Sequence, residues 1–209
     1  MAQNNKILLV EGDADKSFFE ALCKQQMLQT TVKVSVSKGL GGDYNTKGGI
    51  VNLLPTYLPN LIDMEGGRLG VVVDADCVEH GSGYAATLEQ ITQAVAPFGY
   101  ELHQSPTHKL GDGLIYKHTN GLADLGLWIM PNNKDEGSLE HWIKHCITPT
   151  EQALFSHASN VIDGLPKPVK FKLLRRPKAE VSSWLAWQTS PGRGLYATVT
   201  DDLLGACRT

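Results

Sequence analysis

Lys6-Ile7-Leu8-Leu9-Val10-Glu11-Gly12-Asp13-Ala14-Asp15 is the stretch on which the fold turns. Its apolar run, Ile7 to Val10, marks a strand buried on both faces, as in parallel sheets. Gly12 supplies a turn. From Asp13 to Leu28, Phe18, Phe19, Leu22 and Cys23 recur at helical spacing, with acids in the first turn where the helix dipole favours them. Strand, turn and helix together open an α/β unit.

Working outward, the same grammar repeats. Thr31 to Val36 alternates β-branched residues and predicts a second strand. Gly39 to Gly49 holds five glycines and predicts a flexible loop. A helical pattern runs through Leu53, Leu54, Leu58 and Leu61, which Pro55 and Pro59 should shorten or kink. Leu69 to Val73 is a third strand, ending in Asp74-Ala75-Asp76, and Ala85 to Val95 is its following helix. Leu125 to Met130 reads as a fourth strand, stopped by Pro131, with an amphipathic helix over Ser138 to Ile147. The signal weakens after Thr148, though Val181 to Gln188 has the pattern of a late packing helix. Alternating strands and helices predict an α/β fold with a mainly parallel sheet flanked by helices. The expected organisation is one domain over 1–209, with a core at about 6–147 and a C-terminal basic segment and packing helix at about 148–209.

Composition sets the outer bounds. The chain has 209 residues, 42% hydrophobic and 20% charged, a globular balance that excludes disordered and fibrous classes. Cys23, Cys77, Cys146 and Cys207 are scattered without a C-x-x-C pair, which argues against a zinc ribbon or disulfide framework and fits a reducing compartment. No segment approaches the roughly 18 apolar residues of a membrane span, so a cytoplasmic location is expected. The net charge is −3, but Lys167, Lys170, Lys172, Arg175, Arg176 and Lys178 lie between Gly164 and Ala179 without an acid, leaving −9 on the rest. Such a segment is either a solvated loop or a strip that tracks phosphates.

The acids cluster where strands end. Glu11 sits at the carboxyl end of the first strand, where parallel sheets place their ligand sites, and Asp15 follows in the first helical turn. A helix cap explains one Asp there, but not a Glu on the strand tip. Asp74 and Asp76 are two apart, so an extended backbone would point both carboxylates the same way. Their repulsion asks for a hard divalent cation with oxygen ligands. Ser138 and Glu140 form a third element after a third core strand, readable also as a capped helix with an early acid.

These residues carry a family resemblance. Glu11 with Asp15, then Asp74 with Asp76, resembles the metal-binding pattern of the TOPRIM (topoisomerase–primase) domain. Ser138 and Glu140 resemble the S-x-E element of the TOPRIM nucleases of the OLD (overcoming lysogenization defect) family. Trp128-Ile129-Met130-Pro131-Asn132-Asn133 and Trp184-Leu185-Ala186-Trp187-Gln188, with Pro191-Gly192, resemble a family of small stand-alone bacterial TOPRIM-like proteins of unassigned function. The resemblance implies a Rossmann-like TOPRIM fold and Mg²⁺-dependent (or Mn²⁺-dependent) phosphodiester hydrolysis on DNA or RNA. It implies one metal on Glu11, Asp74 and Asp76, and a second assisted by Asp15 and Glu140, with Ser138 in support. Paired metals about 3.5–4 Å apart activate water and stabilise a leaving oxygen. A lysine assists catalysis in the OLD-type enzymes; Lys178 is the candidate, with Lys170 and Lys172 as alternatives. Lys167, Lys170, Lys172, Arg175 and Arg176 would hold the nucleic-acid backbone. The OLD ATPase half and its P-loop motif are missing, so the resemblance implies a different regulation and partner, with a homo-oligomer or a partner protein in trans as the candidates.

Other readings rank lower. Val71 to Val78 also fits a haloacid-dehalogenase-type phosphatase, with Asp74 as nucleophile, but that motif normally opens its domain. A response-regulator receiver needs a lone Asp where this chain has a pair. A TOPRIM-like fold serving only as a binding or assembly module is the stronger non-enzymatic alternative. His141 and His145 are four apart but lack a third zinc ligand. The Gly39–Gly49 loop with Lys47 lacks the G-x-G-x-x-G spacing of a phosphate cradle. Trp128, Trp142, Trp184 and Trp187 read as core or interface anchors.

Overall fold

Burial on both sides of the central strands forces helices onto both faces. The computed structural model describes residues 6–28, 33–36, 46–62, 67–80, 82–103, 109 and 112–205. In chain order these form β1 (Lys6–Val10), α1 (Asp13–Gln25), β2 (Lys33–Val36), α2 (Lys47–Ile62), β3 (Arg68–Asp74), α3 (Tyr84–Val95), β4 (Tyr100–Leu102), β5 (Leu114–His118) and β6 (Leu125–Met130). The helices α4 (Leu139–Cys146), α5 (Gln152–Asp163), α6 (Arg176–Ala186) and α7 (Ala197–Thr200) follow. The sheet runs β2-β1-β3-β6-β5-β4. Its first four strands are parallel, and β5 and β4 are antiparallel additions at one edge. The expected α/β, Rossmann-like, mainly parallel architecture is therefore present.

Side chains alternate across the sheet as strand geometry requires. Val10 and Val72 face the layer of α1, α4, α5 and α6, where Phe18, Ile143, Phe155 and Trp184 pack. Leu9, Val71 and Val73 face α2 and α3, against Ile50, Leu54, Leu58 and Ile91. Each fully buried Leu, Ile or Phe contributes about 1.5–3 kcal/mol of hydrophobic stabilisation.

Several expectations change. The Leu125–Met130 strand is sixth in the chain, because β4 and β5 are short and carry exposed residues such as Glu101, Ile115 and Lys117 between buried ones. Their half-exposed alternation gives no continuous apolar run. Helix α2 continues through Pro55 and Pro59. Both prolines lie on its exposed side, so the carbonyls they leave unbonded can face water. The late helix starts at Arg176, five residues before the expected Val181, with Pro177 in its first turn where the ring is tolerated. Lys178 is thus helical. Of the predicted second strand and the glycine-rich loop, Thr31, Val32 and residues 39–45 lie outside the described residues. Cys146 is disulfide-bonded, contrary to the expectation from scattered cysteines, and Cys23 is a buried free thiol. No helix among the described residues is long and apolar enough to cross a membrane.

Candidate metal and phosphodiester site

The carboxyl ends of β1 and β3 bring Glu11 and Asp74 together. Glu11 Oε1 accepts the backbone N–H of Asp74 at 2.8 Å. Asp74 Oδ1 accepts the backbone N–H of Leu139, the first residue of α4, at 3.0 Å. Asp15 Oδ2 accepts the Gly12 N–H at 2.9 Å, closing the first turn of α1. Each of these carboxylates thus uses one oxygen to cap a strand or helix end and keeps the other. The helix-cap reading of Asp15 and its membership of an acidic cluster both hold, one oxygen for each role.

The electrostatics are those of crowded, partly desolvated acids. Burial pushes the Glu11 carboxyl up to about 7; the Asp74 N–H opposes this, Asp76 and Asp15 add to it, and Lys47 works against it. Burial holds Asp74 well above the usual carboxylate range, reinforced by Glu11, Asp15, Glu140 and Asp76. Asp15 is raised by burial and by Glu140, against the Gly12 N–H and Lys178. Like charges held this close disfavour one another's ionised forms.

Asp76 departs from the expected geometry. Its φ is +60°, so the backbone has left the extended conformation and the two carboxylates of Asp74 and Asp76 do not share a direction by strand alternation. The reason is a local antiparallel bridge: Asp76 N–H donates to Gly137 O at 2.8 Å and Gly137 N–H returns to Asp76 O at 2.9 Å. Gly137 is held at φ +139°, and a Cβ there would stand 2.9 Å from the His141 ring, so the position requires glycine. The Asp76 carboxylate instead pairs with Lys47 at 2.9 Å.

Lys47, which the sequence places in a loop, is the first residue of α2, and its amino group is built into the site. Nζ donates to Ser82 Oγ at 2.7 Å, Thr87 Oγ1 at 2.9 Å and Ala75 O at 3.3 Å, with the side chain only 11% exposed. No local pattern announces such contacts, because the partners lie 28 to 40 residues away. His141 is a second residue whose place the sequence does not announce as a ligand pattern. Its Nδ1 accepts the Ser138 N–H at 3.1 Å, and burial with Lys144 lowers its pKa. Serine followed three residues later by a side chain able to reach back is a capping signature that could have placed it.

Glu140 is buried and already bonded at both oxygens. Ser138 Oγ donates to Oε2 at 2.7 Å, and Lys178 Nζ lies 3.3 Å from Oε1. Ser138 thus donates to Glu140, while Lys178 spans from α6 to α4. Two grooves meet here. One of about 370 Å³ takes in Glu11, Asp15, Lys47, Asp74, Arg175 and Lys178. The other, about 270 Å³, continues past Asp74 between Ser138, His141, Leu173 and Arg175.

The basic strip is divided. Arg175 reaches the groove wall, and Lys167, Lys170 and Lys172 are exposed. Arg176, expected to hold nucleic acid, is instead committed to Asp163 at 2.6 Å and to the buried Glu180 at 2.8 Å. Its role is to fasten α6. Among the described residues, no group of three or more His, Cys, Asp or Glu side chains is placed so that it could hold a metal ion as it stands.

The profile of the family described as "Protein of unknown function (DUF3226)" matches residues 5–206. The chain belongs to that family. No curated protein and no solved structure matches it. Membership of DUF3226 assigns no activity, so the reading of its acidic groove rests on the geometry.

Proposed function

We propose that this chain is a Mg²⁺-dependent phosphodiesterase of nucleic acid, with Mn²⁺ as an alternative ion. The observation that supports it is the convergence of Glu11, Asp15 and Asp74 at the carboxyl end of a parallel sheet, each raised above its usual pKa by burial first and then by neighbouring carboxylates, in a groove edged by Arg175 and Lys178. Hard, anionic oxygens with surplus charge suit a divalent cation. Glu11, Asp15 and Asp74 are the residues that would hold it, by the oxygens not engaged in capping. When bound, such an ion supplies Lewis acidity to a phosphoryl oxygen and to water.

The chain's own groups do the rest. Arg175 positions a phosphate against the acids, and the exposed Lys167, Lys170 and Lys172 extend that grip along the backbone without reading bases. Lys178 lies beside Glu140 and offsets negative charge that builds on the transferred phosphoryl group. Supercoiled plasmid, linear duplex, single strands and RNA, incubated with Mg²⁺ or Mn²⁺, test the proposal. Cleavage of at least one substrate that disappears in Glu11→Ala and Asp74→Ala supports it. Equal cleavage by contaminant-free Asp74→Ala rules it out.

One observation favours a second reading, a TOPRIM-like binding module without turnover. Asp76 and Glu140 are already neutralised by lysines. Oligonucleotide binding that needs no divalent ion, together with no calorimetric response to Mg²⁺ or Mn²⁺, would establish that version.

A further inference from the structure

Resting on the metal-binding reading above, we infer that the Lys47 ammonium is a built-in cation that takes the place of a second metal, so that the site accepts one divalent ion per chain. Five carboxylates surround the groove: Glu11, Asp15, Asp74, Asp76 and Glu140. They divide into two sets by what already holds them. Glu140 has both oxygens engaged, by Ser138 and Lys178, and Asp76 is ion-paired to Lys47. Among the described residues, Glu11, Asp15 and Asp74 accept backbone N–H groups and enter no ion pair, so no fixed cation is committed to them.

The two lysines are not equivalent. Lys178 is 53% exposed and meets Glu140 at 3.3 Å, so it can swing away toward a substrate phosphate. Lys47 is 11% exposed and meets Asp76, Ser82, Thr87 and Ala75 at once. Removing its ammonium from Asp76 would break that whole set. Glu140 is held by Ser138 and Lys178, and Glu11, Asp15 and Asp74 are given to the first ion. A second divalent ion would therefore need the Asp76 carboxylate and would have to sit beside the fixed positive charge of Lys47, which repels it. Charge leads to the same count. With all five carboxylates ionised, two ammonium groups and the Arg175 guanidinium leave two negative charges, which one divalent ion balances and two would reverse.

Counting Mn²⁺ bound to the full chain tests this, by calorimetry and by loss of the free-ion paramagnetic resonance signal. One ion per chain is expected, without Mn–Mn coupling. Two ions in the wild type overturn the inference and leave metal binding standing, whereas no binding overturns the metal reading itself and this inference with it. Lys47→Met should admit a second ion, bound about tenfold or more weakly than the first. Lys47→Gln keeps donors for Ser82 and Thr87 while removing the charge, and should behave alike if the methionine variant fails to fold. A folded neutral variant that still binds one ion overturns the role of Lys47.

Discussion

Glu11 Oε1 and the Asp74 backbone N–H, on neighbouring parallel strands, meet at 2.8 Å. The contact makes Glu11 at once a cap for the end of β3 and a member of the acidic cluster. Glu11→Gln separates the two roles, since its amide oxygen still accepts the N–H but carries no charge. The expected outcome is an equal or higher melting temperature without added metal, and loss of Mg²⁺ binding by calorimetry. Glu11→Ala should instead lose about 1–3 kcal/mol through the unsatisfied Asp74 N–H, measured by urea unfolding.

Stability should fall as pH rises through the acidic range. Glu11 is raised from 4.5 to about 7 in the folded chain, and Asp15 and Asp74 are raised as well. Between those limits the folded state holds more protons than the unfolded one, so its stability declines with pH, and the favourable contribution is complete only below about 4.5. Thermal melts from about pH 4.5 to 8 in chelator should show that decline. Adding Mg²⁺ at the alkaline end should restore the melting temperature, and Glu11→Gln should flatten the profile.

Glu180 carries a different charge problem. It is 2% exposed and joins Lys144 of α4 at 2.6 Å to Arg176 at the start of α6 at 2.8 Å. Burial acts to raise its pKa, but the hydrogen bonds from Lys144 and Arg176 prevail and lower it. Glu180→Ala leaves two cations without their shared anion and should cost about 3 kcal/mol in urea unfolding. That network fixes α6 against α4, so Lys178 and Glu140 should separate and oligonucleotide affinity should drop with it.

Neighbouring arginines should behave oppositely. Arg175→Ala should weaken oligonucleotide binding several-fold and lower the salt dependence by about one counterion. Arg176→Ala should leave that salt slope nearly unchanged and reduce stability, because its guanidinium is held by Asp163 and Glu180. Fluorescence anisotropy over a salt series, beside urea unfolding, separates the two.

The central strands are legible in the sequence because a buried strand must be apolar along its length: Ile7–Val10, Leu69–Val73 and Leu125–Met130 all lie where their hydrophobic runs predict. Glu11, Asp15 and Asp74 are legible for the same local reason, as acids at the ends of such runs. The edge strands β4 and β5 are not, since their exposed residues interrupt any apolar signal. Helix α6 extends beyond its sequence pattern because its first turn, Arg176-Pro177-Lys178-Ala179, carries charge rather than an apolar stripe.

The sequence alone determined a parallel α/β core and the placing of carboxylates at its carboxyl edge, because both follow from local periodicity and strand ends. Only the tertiary structure decided the charge partners of those carboxylates. Lys47 reaches Asp76 across 29 positions, Lys178 reaches Glu140 across 38, and Arg176 turns away from the groove to Glu180. Pairing a long cationic side chain depends on which elements the fold sets side by side, and that information is not local in the chain.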